Sequence, residues 1–429
     1  MGRDRLSGLF VRTRTNAVLF WLFTALLVAL TGYGYGVGSM RIAILATALV
    51  VVAVVPPVAF RDPAMTLPWE LVAVAGSPPL LDLFVGFHFR TEVVPYASVA
   101  VLALLVVVEL HTFTQVRMNH PFAILLATLT TLSAAAMYNI GLWLSDTVLG
   151  TAYLIDGRHV DEINAVVMTK FAYAAIGGLV AGLAFVVYFR HRTPPKGDEA
   201  NVESRSGPDR KVPSERATLA DRLHLSVATQ RRSVRAMQVM LALVFVNGLV
   251  TLHLPMMINA GVALVVTFVP AILKRDLRVS MDPGLVLWIT SAIFLHVLGS
   301  VRLYSATSPW DHLTHAFSAT IVAAVGYTLF RVADLHTDEV YIPSRFMVVL
   351  ILVFVLAAGV VWELIEFTIE QTAAYVGLSA VLVQYGIHDT IADLLFNLGG
   401  GVVVATWGTV YLTDVTRSLA DRVGRWVET

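Results

Sequence analysis

The chain has 429 residues, of which 57% are apolar and 14% charged, with a mean hydropathy of +0.74 and a formal net charge of zero. Soluble domains carry about 25% charged residues, so water is excluded as its main solvent. The absence of cysteine excludes disulfides, thiolate metal centres and cysteine nucleophiles.

Arg3, Arg5, Arg12 and Arg14 precede the first apolar run like the basic flank of a signal peptide. No small-residue cleavage site follows, and the run is read as a retained first span. A helix needs roughly 20 apolar residues to cross ~30 Å of hydrocarbon. By that measure spans are expected at 16–37, 41–60, 67–87, 93–113, 121–144, 164–189, 236–254, 256–273, 283–301, 309–330, 346–370 and 390–412. The fold class is all-α, a polytopic integral membrane helical bundle of about twelve spans, with ten as the alternative. The third span carries Glu70, Asp82 and the interrupting Ser77-Pro78-Pro79, either a second polar spot or a plain kink. With the N-terminus in the cytoplasm, 25 of the 30 Lys and Arg fall in cytoplasmic segments, as the positive-inside rule requires. Both termini are then cytoplasmic, and the expected location is the plasma membrane with the lipid bilayer as partner.

After span six the chain turns polar through Thr193-Pro194-Pro195-Lys196-Gly197, the composition of a flexible linker. It divides the chain into 1–192, a linker over 193–234, and 235–429. The halves echo one another: Val55-Pro56 and Arg61-Asp62 match Val269-Pro270 and Arg275-Asp276 at one offset, and Gly177-Gly178 resembles Gly399-Gly400. Two parallel six-span repeats are therefore expected. Thr218-Leu219-Ala220-Asp221-Arg222 in the linker resembles Ser418-Leu419-Ala420-Asp421-Arg422 near the end. Either segment can be an interfacial amphipathic helix or a solvated one.

A charge at the bilayer centre costs roughly 2.5–3.5 kcal/mol on insertion scales, so acids and histidines inside spans need a reason. They concentrate in the second half. Span ten opens with Asp311 and His315, four residues apart and on one helix face. Span eleven carries Glu363, Glu366 and Glu370, and span twelve carries Asp389, Asp393 and Asn397 after His388. His296, near the end of span nine, is a further wall residue, whereas His312 falls off the Asp311–His315 stripe. In the expected orientation these groups share one depth in the outer leaflet. Carboxylates with histidine at that depth suit a divalent cation or acid–base chemistry. Duller readings stand beside these: Asp311 can cap its helix behind Ser308-Pro309, Trp310 can anchor at the interface, Glu370, His388 and Asp389 can sit among head groups, and buried acids can simply join helices. The first half has Asn139 or Ile140 where Glu363 stands, and Phe171 and Ala175 opposite Asp393 and Asn397, so its copy of the site is degenerate.

Three stretches in 308–405 carry a family likeness: Asp311-x-x-x-His315, Trp362-Glu363-Leu364-Ile365-Glu366-Phe367, and Asp389-Thr390-Ile391-Ala392-Asp393 continuing to Asn397 and Gly400. In order and placement they resemble the YjdF-like family of uncharacterised membrane proteins and, through the D-x-x-x-N-x-x-G spacing, VanZ-like membrane proteins. The resemblance implies an envelope-related membrane protein without an assigned reaction. Glu366 stands where VanZ-like proteins carry Gln, and His388 near where they carry Arg. Four functions remain open: a polar site for a cation or a polar lipid or envelope head group, an ion-coupled secondary transporter, a metal-assisted hydrolase, and a structural or scaffolding role. No nucleophile motif, no H-E-x-x-H spacing and no basic nucleic-acid footprint is present.

Overall fold

The structure, a computed structural model, describes residues 13–37, 39–85, 93–192, 226–276, 281–303, 308–337 and 339–407. Among these residues the regular elements are helical: α1 (Arg14–Gly36), α2 (Met40–Ala59), α3 (Trp69–Val85), α4 (Val93–Phe113), α5 (His120–Leu149), α6 (Val160–Arg192), α7 (Val227–Val250), α8 (Leu254–Asp276), α9 (Pro283–Leu298), a π-helical turn over Gly299–Leu303, α10 (Ser308–His336), α11 (Ser344–Val376) and α12 (Ile387–Trp407). Ten of these helices are long and apolar enough to cross a membrane. The protein is thus a multi-pass helical membrane protein, the architecture in which each backbone polar group is satisfied within its own segment. Within α4 the described apolar stretch is Ser98–Leu110.

Helix starts follow capping chemistry. Thr13, Ser226 and Asp282 accept the backbone N–H groups of Asn16, Thr229 and Gly284, satisfying donors that the first turn leaves open. Pro283 at the first position of α9 loses no intrahelical bond. Several helices outrun the apolar stretches that announced them. α11 continues to Val376 rather than 370, and α10 to His336 rather than 330, because a helix need not end where hydrocarbon does. α7 begins at Val227, within the stretch read as linker, and ends before 254 because Leu252 turns into left-handed backbone at φ 53°. Residues 193–225 of the linker, and with them the charged segments at 218–223 and 418–423, lie outside the described residues.

The chain resolves into two compact units. One comprises Met1–Met137, Thr169–Glu203 and Glu339–Pro343, the other Tyr138–Met168, Ser204–Asp338 and Ser344–Thr429. In the first, Asn16 of α1 donates to Thr66 Oγ1 (2.8 Å) and the Leu67 carbonyl (3.0 Å), and accepts from the Trp69 N–H. These bonds fix the entry of α3 beside α1, where Phe20, Leu27, Leu49, Leu67 and Leu105 form an apolar core. In the second, Gly248 of α7 lies against the Met257 backbone of α8, and Leu241, Ala260, Ala263 and Val297 pack together. Small residues at such crossings let backbones approach where no solvent drives helices together.

Candidate functional site

The second unit holds every residue of the acid and histidine set named from the second half of the sequence. α10 and α12 cross at Gly400, where an added Cβ would run into the Ala316 carbonyl oxygen and come within 2.9 Å of the Ala319 Cβ. Gly359 of α11 is similar, since a Cβ there would meet Leu394 and Asn397 at 3.0 and 3.1 Å. Asp393, Asn397 and Gly400 lie four and then three residues apart, on one face of α12. The glycine sets how closely that face approaches α10, and the acid and amide are thereby brought into α10 and α11.

At this crossing Asp393 is buried and turns one carboxylate oxygen towards each of two histidines. Its Oδ1 is 3.4 Å from His312 Nδ1, and its Oδ2 is 3.7 Å from His315 Nε2. His315 Nε2 also faces Asp311 Oδ1 at 3.8 Å. Two overlapping groups result, Asp311–His315–Asp393 and His312–Asp389–Asp393, with ligand atoms in each within 4.8 Å of one another. For ~2.1 Å bonds to a tetrahedral cation, neighbouring ligand atoms lie about 3.4 Å apart; the three histidine–carboxylate distances, 3.4–3.8 Å, are near that spacing, and the remaining pairs lie within 4.8 Å. The His312 ring stacks on Phe396 with centroids 4.7 Å apart and planes 3° from parallel, which holds the plane of the imidazole. Asp311 and Asp389 sit in the first turns of α10 and α12, where the helix dipole favours negative charge.

Glu363 and Glu366 of α11 are buried beside these groups. Both lie within electrostatic reach of Asp311 and Asp389, and Asp393 within reach of all four. Glu363 Oε2 accepts from Gln384 Nε2 at 2.8 Å, and Gln384 Oε1 accepts from Asn164 Nδ2 at 2.8 Å. Glu363 Oε1 is buried without a hydrogen-bond partner. Five carboxylates so close in a low-dielectric interior demand counter-charge, from cations or from protons.

The remaining candidates stand elsewhere. Glu370 accepts the Gln384 backbone N–H at 3.4 Å. His388 is exposed, and its Nδ1 accepts from the Trp143 indole at 2.9 Å. His296 meets Trp362 edge-on, ring centroids 6.4 Å apart. His296, His315, Thr314, Trp362 and Asn397 border a cavity of about 590 Å³ whose other walls are mainly aliphatic side chains of α8, α9, α10 and α11. His312, excluded by the stripe argument, belongs to the cluster because it and His315 are three residues apart, a spacing that also shares a face. Gln384 and Asn164 have no such signal. One sits in the loop before α12 and the other at the start of α6, and only tertiary packing brings them to Glu363.

Residues 233–414 match the model of a family described as "Predicted membrane protein (DUF2238)", and residues 4–66 match one described as "Domain of unknown function (DUF8268)". Neither covers half of the chain. No curated protein and no solved structure matches.

Proposed function

We propose that this multi-pass membrane protein holds divalent cations in the cluster of α10 and α12, with Asp393 as a bridging carboxylate. The observation that carries the reading is the division of Asp393 between His312 and His315, one oxygen to each. A carboxylate serving merely to join helices needs one partner, whereas a bridge presents its two oxygens to two centres. Asp311 and His315 complete one ligand set, and Asp389 and His312 the other. Mixed imidazole and carboxylate donors suit zinc or manganese, while magnesium or calcium would draw on the carboxylates and water. Three protein ligands per ion leave positions for an exogenous oxygen. Glu363 and Glu366 stand behind this first set, with Gln384 orienting Glu363, as outer groups commonly orient metal ligands. The positive-inside reading directs the site to the outer leaflet of the plasma membrane.

The test is calorimetric titration of the purified protein with zinc, manganese, magnesium and calcium. We expect up to two ions per chain for at least one metal, loss of both with Asp393→Asn, and loss of one with His312→Phe, which retains an aromatic ring over Phe396. A folded parent protein that binds none of the four rules the reading out.

A further inference from the structure

We propose that the 590 Å³ cavity receives the apolar chain of a phosphate-headed lipid, with the phosphate reaching the open positions on the cations beside His315. The inference rests on the cation reading and names the class of ligand that centre would take.

Three observations converge on it. First, the cavity is of ligand size, inside the ~300–1,000 Å³ range of small-molecule sites, and its walls are mostly apolar, including Val262, Val266, Ile293, Val322 and Val355. Second, its polar lining is concentrated in a few groups, and His315 among them both borders the cavity and faces Asp311 and Asp393. The apolar chamber and the ligand cluster therefore meet at one side chain. Third, some lining residues are themselves exposed: Val262 is 59% exposed and Trp362 38%. They lie in membrane-crossing helices α8 and α11, so the surface they expose is offered to lipid. An occupant can enter sideways from the bilayer without passing through water.

The head group follows from the cluster's chemistry. Magnesium held by one or two carboxylates commonly completes its coordination with waters and phosphate oxygens, and open positions on any hard divalent ion accept the same oxygen donors. A free phosphate could satisfy the same positions, but would leave the apolar chamber without a role. Asn259, whose Nδ2 donates to the Val381 carbonyl at 2.9 Å, and Ser318 join His296, Thr314, His315, Trp362 and Asn397 as the polar members of a wall that is otherwise aliphatic, which favours an apolar chain over a sugar or nucleotide.

Dodecyl phosphate is the probe, with dodecanol and inorganic phosphate as comparisons, each added to the metal-loaded full-length protein and followed by native mass spectrometry and calorimetry. We expect one dodecyl phosphate per chain, dependent on added metal, with affinity on the order of a hundredfold above inorganic phosphate because the chain is buried. Ser318→Phe and Ala358→Phe fill the chamber from α10 and α11. Each should abolish dodecyl phosphate retention while leaving metal stoichiometry and inorganic phosphate binding unchanged, and the retained metal reports that the variant is folded. Metal binding without retention of dodecyl phosphate, equal retention of dodecanol, or full retention in a metal-loaded filled variant refutes the lipid inference alone. Absence of metal binding in the parent protein instead defeats the cation reading on which it stands.

Discussion

Replacing Gly400 with alanine tests whether the close approach of α10 and α12 builds the cluster. The new Cβ would lie 2.9 Å from the Ala319 Cβ, against an ordinary contact of 3.4–4 Å, and would also press on the Ala316 carbonyl. The helices must separate by at least ~0.5 Å to relieve it, since backbone atoms cannot swing aside as a long side chain can. Applied to the distances of 3.4 and 3.7 Å from Asp393 to His312 and His315, that shift carries the donors away from the ~3.4 Å spacing a tetrahedral ion wants. Overpacking costs about 1–3 kcal/mol, offset by up to ~1 kcal/mol from removing a helical glycine. The same substitution at Gly399 meets open space and keeps only the gain. Thermal unfolding and metal titration of both variants should therefore diverge. Gly400→Ala should lower Tm and weaken metal binding about 10–100-fold, the range seen when support around a metal site is disturbed. Gly399→Ala should leave both equal to or better than the parent. Identical behaviour of the two variants would refute the role assigned to the crossing.

Other expectations concern the supports of the site. Gln384→Leu strands Glu363 Oε2, whose neighbouring Oε1 already lacks a partner, and should cost about 1–3 kcal/mol, read as a lower Tm. An unchanged Tm would mean that the amide does not hold the acid. Asp146 accepts from Thr151 Oγ1 and from the backbone N–H groups of Tyr153, Leu154 and Ile155. Asp146→Asn gives up the charge that strengthens these bonds, so hydrogen exchange at Leu154 and Ile155 should quicken by an order of magnitude or so; unaltered protection would show that the turn closes without it. His388→Phe keeps a ring beside Trp143 but removes the acceptor of its indole N–H, and should leave metal stoichiometry untouched, because His388 stands apart from both ligand groups. Loss of an ion in that variant would redraw the site.

The helices are legible because a membrane span must supply enough apolar length to cross hydrocarbon, and composition shows that length directly. Their ends are less so: polar turns such as Arg231–Arg235 remain helical with only Val234 as an apolar residue to announce them. Within the candidate site, Asp311 with His315, and Asp389 with Asp393 and Asn397, are legible as stripes at four-residue spacing, and Gly400 through the D-x-x-x-N-x-x-G spacing of the family likeness. His312 lies to one side of a stripe drawn through Asp311, and its partnership becomes visible only when a second acid, Asp393, enters between it and His315 from another helix. Gln384 and Asn164 were invisible for a different reason. Each serves a partner on another element, and no local period encodes such a meeting.

Val262 and Trp362, exposed at the chamber's edge, also determine how its filling would scale. A guest that arrives through lipid is counted by its mole fraction in the leaflet, not by its concentration in the surrounding water. Diluting it with inert phospholipid would empty the chamber even at constant total amount, while diluting the whole suspension with buffer would change little. Two chains in differently composed membranes would then respond differently to the same quantity of ligand, with the bilayer itself setting the dose.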